Sequence, residues 1–491
     1  MTRGWARRLA AVLAVGTLTG GVGAWGCATT QRLETGRDQV EAFVAEPLEF
    51  RGPQAEEIQL SNGVTAFFIE DRSLPLVNLY ALFRGGSTHF PREDLAAVTA
   101  LGSSLILTAG TEALPPDSVD ELIEYHAFGF SFSAGGGATM MGVETLTRHL
   151  DLAFDLWAEA LRAPRLDPDR IEVWRLRQLE SVRRSDDSPA SIAISKFNNL
   201  LFGDHPIGWQ LDEDDLQPDR LSEDRLRRLH GMIFCSDNMI LGVVGDLSKR
   251  EAYERLEHLF GDWPACPEPL PEPPLPDLRR QGGVHLIHKD VNQSSIVVGQ
   301  PGGITQRDHP DFYASQVANF ILGGGGLASR LTTRIRSEEG LAYSAATVWG
   351  AGTRHERIFG AFAQTRGEAT IAAAEMIRET LDEARTELPG RDEVQLAIDY
   401  SVNGFVFAFE NPAQIVTRQM SYRLAGLPDD WLERYLDGIQ RVTPAEVRDV
   451  VRRYIDPALW TYVIVGDTTL FQEPITKLGP ALEFDKDRSS R

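Results

Sequence analysis

The chain is poor in cysteine, poor in positive charge and almost without long apolar runs. Three cysteines in 491 residues cannot build the disulfide framework of a small stapled domain or a zinc-finger spacing. Lys and Arg total 49 against 71 Asp and Glu, a formal net charge of −22. Nucleic acid and anionic lipid surfaces both need basic patches, so neither is expected as the main partner. The only extended apolar stretch, residues 9–24, is interrupted by Gly20, Gly21 and Gly23 and is short for a membrane span. What remains is an ordinary globular balance, 42% hydrophobic and 24% charged, over a length that implies two or more cores.

The apolar stretch has a targeting pattern. Arg3, Arg7 and Arg8 precede it, and Ala24-Trp25-Gly26-Cys27 closes it. A small residue before a cysteine at that place resembles a bacterial lipoprotein signal. It departs from the pattern in having Ala24 where Leu is usual. Residues 1–27 therefore read as a lipoprotein-type signal peptide, with lipidation at Cys27 and a mature chain exported to the periplasm and held by its lipid at a membrane. Ala28 replaces the Asp that usually retains lipoproteins at the inner membrane, which favours the outer one. The alternative is an uncleaved anchor. Cys235 and Cys266 either pair in an oxidising compartment or serve as small apolar residues, and sequence leaves that open.

Beyond a polar tether at 28–48, the body divides at a proline-dense run, Pro-Ala-Cys-Pro-Glu-Pro-Leu-Pro-Glu-Pro-Pro-Leu-Pro from Pro264. Such a segment cannot be helical and favours extended polyproline geometry, so 264–279 is expected to be a semi-rigid linker. It separates domains at 49–263 and 280–472, with 473–491 left as a polar tail. The two halves repeat one another. Gly63-Val64 and Gly283-Val284 open strand-like runs 220 residues apart. Ser222 and Thr443, 221 apart, are N-caps in position before helical patterns. Val243-Val244-Gly245-Asp246 and Ile464-Val465-Gly466-Asp467 end strands, again 221 apart. Residues 65–82 and 284–298 are rich in β-branched and aromatic residues. Residues 149–161 have helical spacing through Leu150, Ala153, Phe154, Trp157, Ala158 and Leu161. Paired strands with helices between them predict an α+β fold, each sheet covered on one face.

Several stretches resemble a known family: "LSNGVTAFFIEDRSLPLVNLYALFRGGSTHFP", "LTAGT", "GDHPIGWQ", "DNMILGVVGD" and "LGGGGLASRLTTRIRSEEGLAYS". They are similar to the pitrilysin/insulinase-type (inverzincin) zinc peptidases and the mitochondrial processing peptidase subunits, across about residues 50–470. The resemblance implies two homologous α+β domains closing like a clamshell on a peptide chamber. Active members bind zinc through H-x-x-E-H on a helix, two His sharing one face and a Glu activating water. Counted back from Gly110-Thr111, those positions are Leu101, Ser104 and Leu105, and the later ligand position falls at Ser181 beside Glu180. None of these three, nor Ser181, supplies a usual zinc ligand. Glu180, in a helix of alternating charge, reads as a solvated side chain. His285 and His288 do not restore a site, because i and i+3 on a strand face opposite ways. The chain is thus expected to bind no cofactor of its own, with zinc held by a partner.

The family's second domain also contributes an Arg and a Tyr, seven residues apart, that hold substrate across the chamber. The resemblance places them at Arg336 and Tyr343. Residues 327–339 read as a helix, Gly340 as its cap and 341 onward as a strand, which brings both side chains to one wall. An Arg fork suits a carbonyl or carboxylate, and a Tyr hydroxyl can donate to an oxygen gaining charge. The bland alternative is a surface Arg beside a half-buried sheet Tyr. Gly323 to Gly326 lack the Lys-Ser/Thr of a phosphate loop and read as a flexible joint between helices; Gly135, Gly136 and Gly137 read as a turn.

Two functions follow. One is a non-catalytic subunit of a two-chain peptidase, a hetero-oligomer in which a zinc-bearing partner cuts the peptide substrate. The other is a scaffold or peptide-binding periplasmic lipoprotein. An independent hydrolase finds no G-x-S-x-G elbow. The targeting pattern makes a direct prediction: Cys27→Ala abolishes lipid attachment and processing, seen as a higher mass and loss of membrane association. A Cys27→Ala chain that stays membrane-bound with unchanged processing points to the uncleaved anchor.

Overall fold

Strand-forming runs collect into two sheets of the same design. In the computed structural model residues 53–483 are described, apart from 281, 306 and 408. The signal segment with Cys27, the tether at 28–48 and residues 484–491 lie outside the described residues. The first half contains Glu56–Gln59 (β1), Thr65–Glu70 (β2), Leu76–Arg84 (β3), Gly129–Ala134 (β4), Ala138–Leu146 (β5) and Met239–Gly245 (β6). The second contains Gly283–His288 (β7), Gln293–Pro301 (β8), Ala342–Trp349 (β9), Ile358–Arg366 (β10), Thr461–Gly466 (β11) and Ala481–Glu483 (β12). The sheet orders are β1-β2-β6-β3-β5-β4 and β12-β7-β11-β8-β10-β9. Each has one central parallel pair, β2 with β6 and β7 with β11, while the next strand runs antiparallel. The fold is the expected α+β type with two homologous sheets.

Two local expectations change. The run 65–82 breaks into β2 and β3, with a turn held by Asp71 Oδ1 accepting from the Ser73 N–H at 2.9 Å. The stretch 473–491, expected as a polar tail, supplies β12, which pairs parallel with β7. β12 fills on the second sheet the edge that β1 fills on the first, so one sheet is completed from its N-terminal side and the other from its C-terminal end.

Helix boundaries follow local chemistry. Leu150–Arg162 buries Ala153, Phe154, Trp157 and Leu161 against the first sheet's core, the stripe its spacing predicts. Thr443 and Glu446 form a reciprocal capping box at the start of Pro444–Tyr454. Ser222 occupies the equivalent N-cap without a side-chain bond.

The sheets are covered on both faces, not one. Each outer face takes a helix from the other half. Pro189–Phe202 starts with Ser188 accepting from Ser191 N–H and Pro189 in the first turn; Pro412–Leu424 starts alike, with Asn411 accepting from Gln414 N–H and Pro412 following. The first lays Ala193, Phe197 and Leu201 on Ile287, Val297, Val463 and Val465 of the second sheet. The second lays Val416 and Met420 on Phe67, Leu82 and Val244 of the first. The reciprocal crossing joins the two halves within one compact unit. It also accounts for the nearly uniform burial of β6, β8 and β11, strands with no solvent face.

Close approach demands glycine at both crossings. A Cβ on Gly242 would lie 2.4 Å from Val416 Cγ1, and one on Gly299 would lie 2.4 Å from Phe197 Cζ. Phe197→Ala should therefore cost about 3–5 kcal/mol, the range for emptying a buried aromatic site. The check is a urea melt of the whole unit. A midpoint unchanged by Phe197→Ala would show that the crossing does not hold the halves together.

Candidate functional site

The position where the zinc motif would stand is filled by core. Leu95–Leu101 is a helix that stops at Gly102, and Leu105–Thr108 restarts after a turn. Leu101 and Leu105 are 1% and 2% exposed and belong to the first core, while Ser104 faces solvent from the turn. The break has a packing cause. A Cβ on Gly102 would sit 2.6 Å from the Ala134 Cβ, so the end of β4 presses against the chain where a continuous helix would need side chains. The three positions therefore no longer share one helical face. Ser181 is exposed on Pro168–Ser185, and Glu180 beside it pairs with Arg184 at 2.9 Å, the solvated role expected of it. These residues do not fit zinc. His285 is buried and His288 exposed, with Nδ1 2.9 Å from Thr468 Oγ1, so they point apart as the strand period requires.

Cys235, Asp237 and Cys266 form the one cluster of three ligand-type side chains among the described residues. It is not a metal site, because Cys235 and Cys266 are joined as a disulfide and Asp237 Oδ1 accepts the Cys266 N–H at 2.8 Å. The bond ties the start of the proline-rich linker to the first domain.

Arg336 and Tyr343 do come together. The regular helix expected over 327–339 is instead a short 3-10 turn, Gly326–Ala328, followed by a segment of π pitch, Thr332–Glu338. The wider pitch appears in the Glu339 N–H donating to Arg334 O at 3.2 Å. Leu331 and Ile335 are fully buried, and Thr332 Oγ1 donates to Ala345 O at 2.9 Å, fastening this segment to β9. Gly340, with φ +62°, turns the chain as a helix-terminating glycine does. Of the four glycines before it, Gly323 and Gly324 belong to the helical segment Phe320–Gly324, and a Cβ on Gly323 would lie 2.4 Å from Thr347 N, so Gly323 lets that segment lie directly on β9, while Gly326 turns the chain with φ +59°.

Tyr343 is the extra residue of a β-bulge. Ala342 pairs with Thr365 and Ser344 with Gln364, which leaves Tyr343 unmatched on the sheet's edge strand. The bulge turns it outward, 77% exposed, so it is not a half-buried sheet residue. Arg336 Cζ lies 5.6 Å from its ring centroid, a cation–π distance. Neighbouring arginines are tied down: Arg330 to Glu393 at 2.7 Å, Arg334 to Glu379 and Glu383 at 3.0 Å. Arg336 has no ion-pair partner among the described residues. Its donors and the Tyr343 hydroxyl stay open to a ligand.

The pair does not line a chamber within this chain. The interdomain cleft is a separate cavity of about 860 Å³, bounded by the ends of β3 and β5, the 205–209 segment, the linker and the loop before β10. The linker crosses it as a strap. His89 Nδ1 lies 2.8 Å from Pro271 O, His205 Nε2 lies 3.0 Å from Pro274 O, and Arg354 pairs with Glu272. Sequence reasoning missed this cavity because its residues come from segments far apart in the chain. The hints were scattered: Arg84 and His89 in the first quoted stretch, His205 in "GDHPIGWQ", and the glycine turn at Gly135 to Gly137.

Residues 220–400 match the family described as the peptidase M16 inactive domain. Over that segment the chain resembles the M16, or pitrilysin/insulinase-type, peptidases. Its likeness to an uncharacterised zinc protease of Streptomyces coelicolor is 24% identity over 372 residues, covering 75% of this chain and 78% of that one. A non-peptidase homologue of Helicobacter pylori is 20% identical over 404 residues, covering 82% and 92%. The crystal structure of a peptidase M16 inactive domain from Pseudomonas fluorescens superposes with a TM-score of 0.73 at 21% identity, covering 86% of this chain and all of that one. The chain thus has the fold of these neighbours, with Leu101 and Leu105, at two of the positions the resemblance gives to the zinc motif, packed in the core. Purified after dialysis against zinc, it should retain far less than one equivalent by elemental analysis. One tightly held zinc per chain, with chelator-sensitive peptide cleavage, would overturn that.

Proposed function

We propose that this chain is the non-catalytic, substrate-binding subunit of a two-chain insulinase-type zinc metallopeptidase. In this reading a zinc-bearing partner supplies metal and base. This chain closes the peptide chamber and contributes Arg336 and Tyr343. The observation that carries it is a contrast: the two positions that the resemblance gives to zinc-binding His are the core leucines Leu101 and Leu105, while the Arg-Tyr pair stands exposed, stacked and without a carboxylate partner among the described residues. Removing the ligands without burying or pairing those two side chains is what a subunit that still handles substrate requires. Stacking on the Tyr343 ring orients the guanidinium, so its planar fork meets a peptide carbonyl or terminal carboxylate with little further ordering. The phenol then donates to an oxygen that gains charge as the peptide is attacked.

Export to the periplasm as a lipid-anchored protein belongs to the same reading. Its support is the N-terminal targeting pattern together with the Cys235–Cys266 disulfide, which persists in an oxidising compartment. No helix among the described residues is long and apolar enough to cross a membrane.

The test uses the complex with an H-x-x-E-H-bearing chain and a peptide that the complex cleaves. Arg336→Ala should lower kcat/KM by about ten- to a hundredfold without weakening co-purification, since a charge-assisted hydrogen bond is worth about 1.5–3 kcal/mol. Tyr343→Phe keeps the stacked ring and removes the hydroxyl alone, so its loss should fall mainly on kcat. Arg336→Lys should rescue only in part. Full activity in the Arg336→Ala, Tyr343→Phe double variant sinks the role and leaves the alternative, a scaffold or peptide-binding periplasmic lipoprotein with no part in proteolysis.

A further inference from the structure

The interdomain cavity has the opposite charge from the rest of the chain. Against a net charge of −22, its charged lining is Arg84, Arg354, Arg357 and one carboxylate, Glu272. Glu272 is already paired with Arg354. Arg84 and Arg357 have no ion-pair partner among the described residues, so the cavity carries an uncompensated positive surplus. His355 feels it: burial first, and then the charge of Arg357, His205 and Arg354, hold it below its ordinary pKa. Cations gathered in a cleft, on a chain whose surface is otherwise acidic, concentrate field lines and attract anions there.

The walls add more specific recognition. Gly135, Gly136 and Gly137 turn between β4 and β5 on the cavity rim, all exposed. Thr88 and Gly85 donate to the carbonyls of Gly136 and Gly137 and fix the turn. The N–H groups of Gly136 and Gly137 have no hydrogen-bond partner among the described residues, so two backbone donors stand beside the arginines. Ile207, Trp209, Leu275 and Leu424 add apolar surface to the lining. The volume of about 860 Å³ lies within the range of built ligand sites.

We propose that this cavity binds a short peptide segment rich in Asp or Glu, its carboxylates on Arg84 and Arg357 and its backbone against the glycine turn and the proline strap. Two arginine forks without ion-pair partners among the described residues, in a lining that also carries apolar side chains, suit carboxylates on one extended chain better than a single compact anion. The site is independent of Arg336 and Tyr343, which lie outside the cavity lining, so it can fail while the proteolytic role stands, and the reverse.

Fluorescence anisotropy of a labelled oligoglutamate peptide with the full chain tests it, beside oligolysine and oligoserine peptides of equal length. Oligoglutamate alone should bind, more weakly as salt rises. Arg84→Ala with Arg357→Ala should weaken it at least about tenfold. Arg84 and Arg357 are exposed, so their truncation should leave the urea melt unchanged, and Arg452→Ala, at an exposed position outside the cavity, should bind as the parent does. No oligoglutamate binding, equal binding of oligoserine, or undiminished binding by the double variant overturns the proposal. Displacement by inorganic phosphate at equal total negative charge overturns the peptide assignment in favour of a simple anion site.

Discussion

The crossing of two helices organises the molecule. Each sheet has one face packed by helices of its own half and another that needs cover, and the cover comes from the other half: Phe197 on one side, Val416 and Met420 on the other. Strands buried on both faces cannot be exposed to water without losing most of their stabilisation, so neither half is complete alone. Gly242 and Gly299 lie under those contacts because no side chain fits there. The interdomain cavity, the strap across it and the edge where Arg336 and Tyr343 stand are all positioned by this lock.

Packing shapes two of the positions that the family resemblance gives to the zinc motif. Where ligands would project from one helical face, Leu101 and Leu105 enter the first core, and the helix breaks where Gly102 meets Ala134. A His in either place would bury an imidazole among leucines without a metal to satisfy it, a desolvation cost that apolar side chains avoid. The second half is under no such pressure. Its π-pitched segment and bulge hold Arg336 and Tyr343 outward by contacts made on their inner side, through Ile335, Thr332 and Ala345. Irregular backbone of both kinds recurs where a side chain must be re-aimed.

The linker shows how composition and context divide the work. Proline density dictates an extended, non-helical segment, and such a segment leaves many carbonyls unpaired. Here His89 and His205 take two of them, and the Cys235–Cys266 bond holds the near end. A spacer by composition has become a wall of the cavity by its partners.

The sequence by itself determined the duplication, the α+β class, the leucines and serines at the positions the resemblance gives to the zinc motif, and the seven-residue spacing of Arg336 and Tyr343. These depend on residue type and short-range period: glycine turns, β-branched strands, capping residues, leucine where histidine would be needed. Only the tertiary structure decided that each sheet is covered on both faces, that 481–483 form a strand and not a tail, that Cys235 reaches Cys266, and that Tyr343 bulges outward. It also decided that Arg84, Arg354 and Arg357 share one cavity. The reason is physical. Local chemistry sets what a segment of chain prefers, but which distant surfaces meet depends on how two half-covered sheets best exclude water, and no spacing along the chain encodes that.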